Sequence, residues 1–429
     1  MFINKVLNKI QTILQPVYNS SFVLQKIDLL IGLNIFLVIF SSTCAPSDSI
    51  GYFAIFAIIL TFIKTMTKTG EIFKPNLSEV FLIIYFIFVI ISLAGSSLFI
   101  LSFKGFLKTA TYLGFYISVV NYLKDNKDKI KYLFLAFALC ACYETFFAFL
   151  QHFGAVEEIS GWQDMSHLNP EEVMTRVYGT LKPYNPNLFG GYMLSIIPAF
   201  ISVANFSKKS FIFSIICGLL SCFALIFTGC RGAYIGMFFV IIILFGIIFK
   251  LLKQKYRKIF SFISCTIFFI LSLIIISVSS LRARIFSIFA MRSDSSNSFR
   301  FNVYNSCINM FKDNWLIGIG CGNQNFREIY GLYMRTGFDA LSAYNIYLEI
   351  ACESGIFALI AFCLYLINCV LSGIKFILQN KKSTETFFVL SALLSVLGIL
   401  FHGIVDTVFF RPQIQFTFWI MMGILRVIV

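Results

Sequence analysis

Long apolar windows recur along this chain, separated by short polar interruptions. They fall near 28–43, 50–66, 80–101, 106–123, 131–151 and 187–206, then near 211–228, 232–250, 259–280, 344–370, 386–403 and 412–428. A helix needs roughly 20 apolar residues to cross a bilayer. The pattern therefore predicts an all-α polytopic membrane protein with about twelve transmembrane helices. Ahead of the first window, Lys5 and Lys9 alternate with Phe2, Ile3, Val6, Leu7 and Ile10. That alternation predicts an amphipathic segment over residues 1–27, lying on the membrane. Residues 28–428 then form a single transmembrane domain. Residues 1–27 show no apolar core followed by a small-residue cleavage site, so no removed signal peptide is expected.

Charge orients the windows. Lys5, Lys9 and Lys26 precede the first one. Alternate interruptions carry Lys64, Lys68 and Lys74, then Lys124, Lys127, Lys129 and Lys131, then Lys208 and Lys209. The series continues with Lys250, Lys253, Lys255, Arg257 and Lys258, and ends on Lys375, Lys381 and Lys382. Basic loops stay cytoplasmic, so both termini are expected on the cytoplasmic side of a bacterial inner membrane. Two loops, 152–186 and 281–343, then lie outside, and both are too long for plain connections. The first is acidic, with Glu157, Glu158, Asp164, Glu171 and Glu172. The second should hold an amphipathic helix over 299–313, capped by Asn297 or Ser298, with Val303, Ile308 and Phe311 on its apolar face.

Composition supports this reading. Apolar residues make up 59% of the chain and charged residues 13%, with mean hydropathy +0.86. Soluble domains run nearer ~45–50% and ~25%. A net charge of +14 would suit nucleic acid, but the Lys clusters sit between apolar windows, where anionic lipid is their partner. Membrane lipid is expected and nucleic acid is not. The twelve Cys show no paired spacing, and Cys140, Cys142, Cys217, Cys222 and Cys265 sit inside apolar windows as small hydrophobes. No spacing of His, Cys or acidic residues predicts a metal site, and no cofactor is expected.

The two cations segregate. Nineteen of the 23 Lys fall on the cytoplasmic side or in the N-terminal segment. Nine of the eleven Arg fall outside: Arg176, Arg231, Arg282, Arg284, Arg292, Arg300, Arg327, Arg335 and Arg411. A guanidinium fork binds phosphate or carboxylate bidentately, which an ammonium cannot do. An outer anion site, such as one for a pyrophosphate, is one reading; pairing with loop carboxylates or lipid headgroups is the other. Arg231 is the strongest candidate. It sits in Thr228-Gly229-Cys230-Arg231-Gly232, where glycines allow close backbone approach and no carboxylate is near in sequence.

Other motifs are read with their alternatives. Asn185-Pro186-Asn187, followed by Gly190-Gly191, suits a turn and a helix N-cap; the helix end could hold phosphate oxygens or be a plain start. Gly318-Ile319-Gly320-Cys321-Gly322-Asn323 lacks a βαβ context and reads as a tight turn returning the loop to the membrane. His402 and Asp406 are four apart, so a continuous helix would place them on one face, as a general base with its orienting carboxylate or as a structural pair. Glu349 and Glu353 share a face at the head of the tenth window and are intramembrane functional candidates; snorkelling or pairing with a loop Arg is the competing account. No internal repeat and no broken helix is evident, although a transporter would be expected to show them.

The Gly-Thr-x(4)-Asn-Pro-Asn-x(2)-Gly-Gly-Tyr stretch at 179–192 carries a further signal. With Arg231-Gly232, and Arg300 ahead of Trp315-Leu316-Ile317-Gly318-Ile319-Gly320, it resembles the O-antigen ligase/polymerase superfamily over roughly residues 170–428. Leu341-Ser342-Ala343-Tyr344-Asn345 with Leu348-Glu349, and His402-Gly403 with Asp406 and Arg411-Pro412-Gln413, look most like its IctB subgroup, named for bicarbonate transport. The superfamily resemblance implies a metal-independent glycosyltransferase at the outer face. Such an enzyme moves glycan from a polyprenyl-pyrophosphate carrier to the hydroxyl of an acceptor glycan or lipid. By the same resemblance Arg231 and Arg300, joined by Arg176 and Arg411, are donor-pyrophosphate ligands. His402, Asp406 and Tyr344 are the catalytic candidates. Tyr344 stands where ligases carry a His as acceptor base, and a phenol is a poor base at neutral pH. The IctB likeness implies the alternative, a transporter or accessory protein for inorganic-carbon uptake.

Overall fold

The computed structural model describes residues 2–67, 75–154, 175–381 and 383–429. The sequence-based readings at Lys68, Lys74, Glu157, Glu158, Asp164, Glu171, Glu172 and Lys382 lie outside the described residues. The described residues form helices and no strand. Helices α1 (Phe2–Ser20) and α2 (Phe22–Gln25) lead into α3 (Ile27–Cys44), α4 (Ser47–Thr67), α5 (Leu77–Gly95), α6 (Phe99–Asp125) and α7 (Ile130–Phe153). Next come α8 (Pro186–Ile196), α9 (Ala199–Ala204), α10 (Lys208–Phe227), α11 (Arg231–Leu251) and α12 (Gln254–Ser277). The second long loop folds into α13 (Ser279–Phe289), α14 (Ser295–Asp313) and α15 (Asn323–Tyr330). Helices α16 (Ile346–Gln379), α17 (Thr384–His402) and α18 (Pro412–Ile428) complete the chain.

Ten helices or helix pairs among the described residues are long and apolar enough to cross a membrane. The two remaining windows are helical as well. Helix α6 carries Lys104, Lys108, Lys124 and Asp125, and α18 is 17 residues long. Helix α18 lies inside the bundle: it packs on α3, α4, α6, α8 and α17 and is buried from Gln413 through Leu425. An enclosed helix need not be lipophilic all round, so its hydropathy understates its depth.

Successive helices present alternate ends to two opposite faces. One face carries α1, whose Gln11 side chain donates to Thr65 O at the end of α4 (2.8 Å). There Lys64 bridges Asp28 and Asp125 at 2.5 and 2.8 Å, tying α3, α4 and α6. Beside it Glu79 and Asn76 form a capping box that starts α5. The same Glu79 carboxylate accepts Tyr116 Oη (3.0 Å) and Arg426 Nε (2.8 Å), and its side chain is 3% exposed. Glu79→Ala removes a cap and the shared acceptor of three helices. The expected cost is about 3 kcal/mol, measured as a lower thermal midpoint in detergent, with Glu79→Gln losing less.

The opposite face, called here the loop face, holds α13 to α15. Helix α14 starts at Ser295, where Asp294 Oδ1 accepts Asn297 N (2.8 Å), so the cap is Asp294 and not Asn297 or Ser298. Its buried stripe is Val303, Cys307 and Met310, spaced four and three apart; Ile308 falls off that stripe and is exposed. The Gly318–Gly322 turn does return the loop to the bundle. Ile319 N and Gly320 N donate to Cys352 O and Glu353 O (both 3.0 Å), while Ser96 Oγ donates to Ile319 O (2.9 Å).

Contrary to the sequence reading, two spans are broken. Helix α16 changes direction at Gly355 (φ +80°, ψ 176°), and the sixth window splits at Pro198 between α8 and α9. Proline has no N–H to continue the helical ladder, and Gly355 adopts a backbone conformation that L side chains avoid.

Candidate functional site: a cationic cavity at the loop face

A cavity of about 1350 Å³ opens among the N-terminal ends of α4, α8, α11 and α18, the N-terminal half of α6, and helices α13 and α14. It is lined by Arg176, Arg231, Arg284, Arg292, Arg300, Arg411 and Lys108. The carboxylates on its wall are Asp48, Asp294, Asp406 and Glu349. Six of the chain's eleven Arg therefore converge on one space, with an excess of cations over carboxylates. Arg282, Arg327 and Arg335 do not line it: Arg327 pairs with Asp339 at 3.8 Å, and Arg335 donates to Asn302 (3.2 Å).

Four of the lining Arg, Arg231, Arg176, Arg284 and Arg300, are held by neighbours. Arg231 opens α11, is 8% exposed, and its Nη1 meets Asp294 (2.9 Å) and the Ser287 carbonyl and hydroxyl (both 3.2 Å). Its partner carboxylate lies 63 positions away, which is why its own neighbourhood in sequence shows none. Arg176 lies over Gly229, donating from Nε to Thr228 O (2.8 Å) and from Nη2 to Asn187 Oδ1 (2.6 Å). Arg284 donates to Gly229 O (2.7 Å). Burial, with Arg176 and Arg231 beside it, pushes the Arg284 guanidinium down to about 10. Arg176 is lowered in the same way, by burial first and by Arg231 and Arg300 among its neighbours. An anion placed among these groups would relieve their mutual repulsion.

Arg300 bridges the cavity's chemistry. Its Nη1 donates to Ser296 (2.9 Å), its Nη2 lies 3.7 Å from Asp406 Oδ2, and its guanidinium stands 5.7 Å from the Tyr344 ring centroid. Its Nε is buried without a hydrogen-bond partner among the described residues. An orphaned buried donor is costly unless a ligand satisfies it. Asp406 Oδ1 accepts the Thr407 and Val408 amides (2.7 and 3.2 Å), and Asn187 Nδ2 donates to Oδ2 (3.2 Å). Arg176, Asn187, Asp406 and Arg300 form one polar chain across the wall.

Tyr344 lines the cavity with φ +50°, and its carbonyl accepts Tyr304 Oη (3.1 Å). Burial and the nearby Asp406 raise its phenol above the ordinary value, which removes it further from base chemistry at neutral pH. His402 departs from the sequence reading. Helix α17 ends at His402 and the chain turns at Gly403, so His402 and Asp406 do not share a helical face. The imidazole is buried between Gly191 and Gly232, does not line the cavity, and meets Cys230 Sγ through Nε2 at 3.6 Å. His152, at the end of α7, stacks on Phe227 at 3.7 Å between ring centroids.

The helix-start motif is realised as a cap. Asn185 Oδ1 accepts Asn187 N and Leu188 N (2.8 and 3.4 Å), so those amides are engaged, and α8 offers the cavity its Asn187 side chain instead. Gly190 packs on Cys230 and Ala233, where a side chain would not fit. Both intramembrane carboxylates bind loop backbone. Glu349 accepts Ala343 N and Glu353 accepts Gly322 N, each at 3.0 Å, rather than an Arg or solvent. Arg411 caps nothing with its side chain and is exposed at the cavity edge before Pro412.

Sequence reasoning left Asp294, Lys108, Asp48 and Cys230 without a role. Only Cys230 carried a local signal, its place beside Arg231 in a glycine-flanked turn. Among the described residues, no cluster of three or more His, Cys, Asp or Glu is arranged to hold a metal ion.

Residues 216–363 match the family model described as O-Antigen ligase. The matched stretch contains Arg231, Arg284, Asp294, Arg300 and Tyr344, and it ends before His402 and Asp406. The match supports the O-antigen ligase superfamily and, in general terms, a multi-pass membrane glycan transferase handling lipid- and glycan-linked substrates. No curated protein matches the chain.

Proposed function

We propose that this protein transfers glycan from a polyprenyl-pyrophosphate carrier to an acceptor hydroxyl, at the outer face of the inner membrane. The observation that carries the reading is the convergence of six Arg on one cavity, one of them with a buried donor that has no partner among the described residues. In this account Arg176, Arg231, Arg300 and Arg411 hold the two phosphates, with Arg284 adding charge behind them. The acceptor oxygen bonds to the anomeric carbon as the bond from that carbon to the pyrophosphate oxygen breaks. The charge released on the pyrophosphate is met by guanidinium groups already in place. Asp406, on the cavity wall, takes the acceptor proton in the role the resemblance gives to a His at position 344.

The inorganic-carbon alternative draws no support from the broken spans, since neither Pro198 nor Gly355 lines the cavity. The break at Gly355 is filled by the Leu316–Ile317 backbone and does not line the cavity, unlike the substrate-lining breaks of transporters.

The reading is tested with purified protein, a lipid-linked oligosaccharide and a panel of acceptors. Carrier release should fall about 100–1,000-fold in Arg231→Ala and in Arg300→Ala, the loss typical of one oxyanion donor. Full activity in both variants would end the pyrophosphate assignment. Bicarbonate uptake by proteoliposomes, with no carrier release, would replace it with transport.

A further inference from the structure

Cys230 is the one thiol on the cavity wall, and among the described residues the remaining cysteines lie elsewhere. It is the N-cap residue of α11, so its side chain sits at the positive end of a 21-residue helix. His402 Nε2 lies 3.6 Å from its sulfur, and Gly191 of α8 and Gly232 of α11 clamp the ring there. A methyl group on Gly232 would stand 2.8 Å from Nε2, so the imidazole has no room to turn away. The charged and titratable groups around the thiol are His402, Arg176, Arg284, Asp406 and Tyr234, with Arg231 next in sequence. Cations outnumber the single carboxylate. Burial alone would push the thiol up, yet His402 and Arg176 hold it below its ordinary value. Cys321, equally buried in the Gly318–Gly322 turn but facing Glu353, is pushed up to about 12.

A base in contact, a helix N-terminus and surrounding guanidinium groups are what convert an inert thiol into a nucleophile. We propose that Cys230, paired with His402, is a reactive thiol and the modification site for small peroxide-class oxidants that enter the cavity. The proton resides on His402, so the sulfur attacks as the thiolate. It bonds to one peroxide oxygen and the O–O bond breaks. Sulfur loses two electrons in becoming the sulfenic acid, and the departing hydroxide takes the imidazolium proton and leaves as water. At 2% exposure the thiol admits small solutes only. The added oxygen would lie near Arg176, so oxidation alters the polar wall of the cavity directly.

The test uses the full-length protein in detergent, with the exposed Cys44 and Cys265 changed to Ser. Iodoacetamide labelling of Cys230 is followed by peptide mass spectrometry between pH 6 and pH 9. An ordinary thiol, with pKa near 8.5, loses more than about 100-fold in rate over that range; Cys230 should lose clearly less than that. His402→Asn should restore the steep profile and reduce dimedone trapping after hydrogen peroxide by at least 10-fold. A steep profile in the parent protein, no dimedone adduct at Cys230, or an unchanged profile in His402→Asn would each overturn the proposal. If the variant unfolds, buried Cys321 will label, and the parent's profile and dimedone trapping then decide alone.

Discussion

Asp406→Ala should slow glycan transfer by about 100–10,000-fold, the range of a lost general base, without weakening carrier binding. Asp406 is the carboxylate that the cavity positions most firmly. Two amides hold Oδ1, Asn187 holds Oδ2, and Arg300 stands 3.7 Å away. Removing it frees Arg300 for phosphate, so affinity for the carrier should stay level or rise while kcat falls. A purely structural role would lower both together. Asp406→Asn is not a mild change here, because its amide would face the donors of Asn187 and Arg300. It should be nearly as inactive as the alanine variant. A rise in carrier KM with kcat unchanged would remove Asp406 from the proton step.

Gly355→Ala should be the most damaging single change to the fold, costing more than about 4 kcal/mol. The residue sits at φ +80° and ψ 176°, a conformation nearly reserved for glycine. An added Cβ would overlap Leu316 O and stand 2.7 Å from its carbonyl carbon and 3.0 Å from Ile317 N. These are backbone atoms and cannot step aside as a side chain would. The kink lets α16 meet the returning loop: Ile356 N donates to Trp315 O, and Glu353 O accepts Gly320 N. The expected phenotype is low membrane yield and early protease cleavage within 314–345. Wild-type yield and an unchanged thermal midpoint would show that the kink is not required.

The helical plan could be read from hydropathy because lipid-facing and core-facing positions are both apolar, and the basic interruptions alternate without a break. The cation segregation was legible too, and most of the Arg it singled out line the cavity. Partners were not legible where they come from far along the chain. Arg231 finds Asp294 and Ser287, and His402 finds Cys230, only after α8, α11, α13 and α17 assemble. The His402–Asp406 spacing misled because it assumed a helix that ends at His402. The break in α16 was missed because a lone glycine in an apolar window carries no sign of the backbone it will be pressed against. Glu349 and Glu353 read as functional because charge is rare in a span; in the structure each accepts a loop amide, and Glu349 also reaches the cavity wall.

The account rests on a diphosphate in the Arg-lined cavity, and binding reports on that more directly than turnover. The measurement is a titration of polyprenyl pyrophosphate into the protein in nanodiscs, for wild type and for Arg176→Ala, Arg231→Ala and Arg300→Ala. Each lost charged hydrogen bond should weaken binding by about 10–100-fold, with Arg327→Ala, outside the cavity, unchanged. Equal affinity across all four variants and wild type, or no binding by the wild type, would contradict the account.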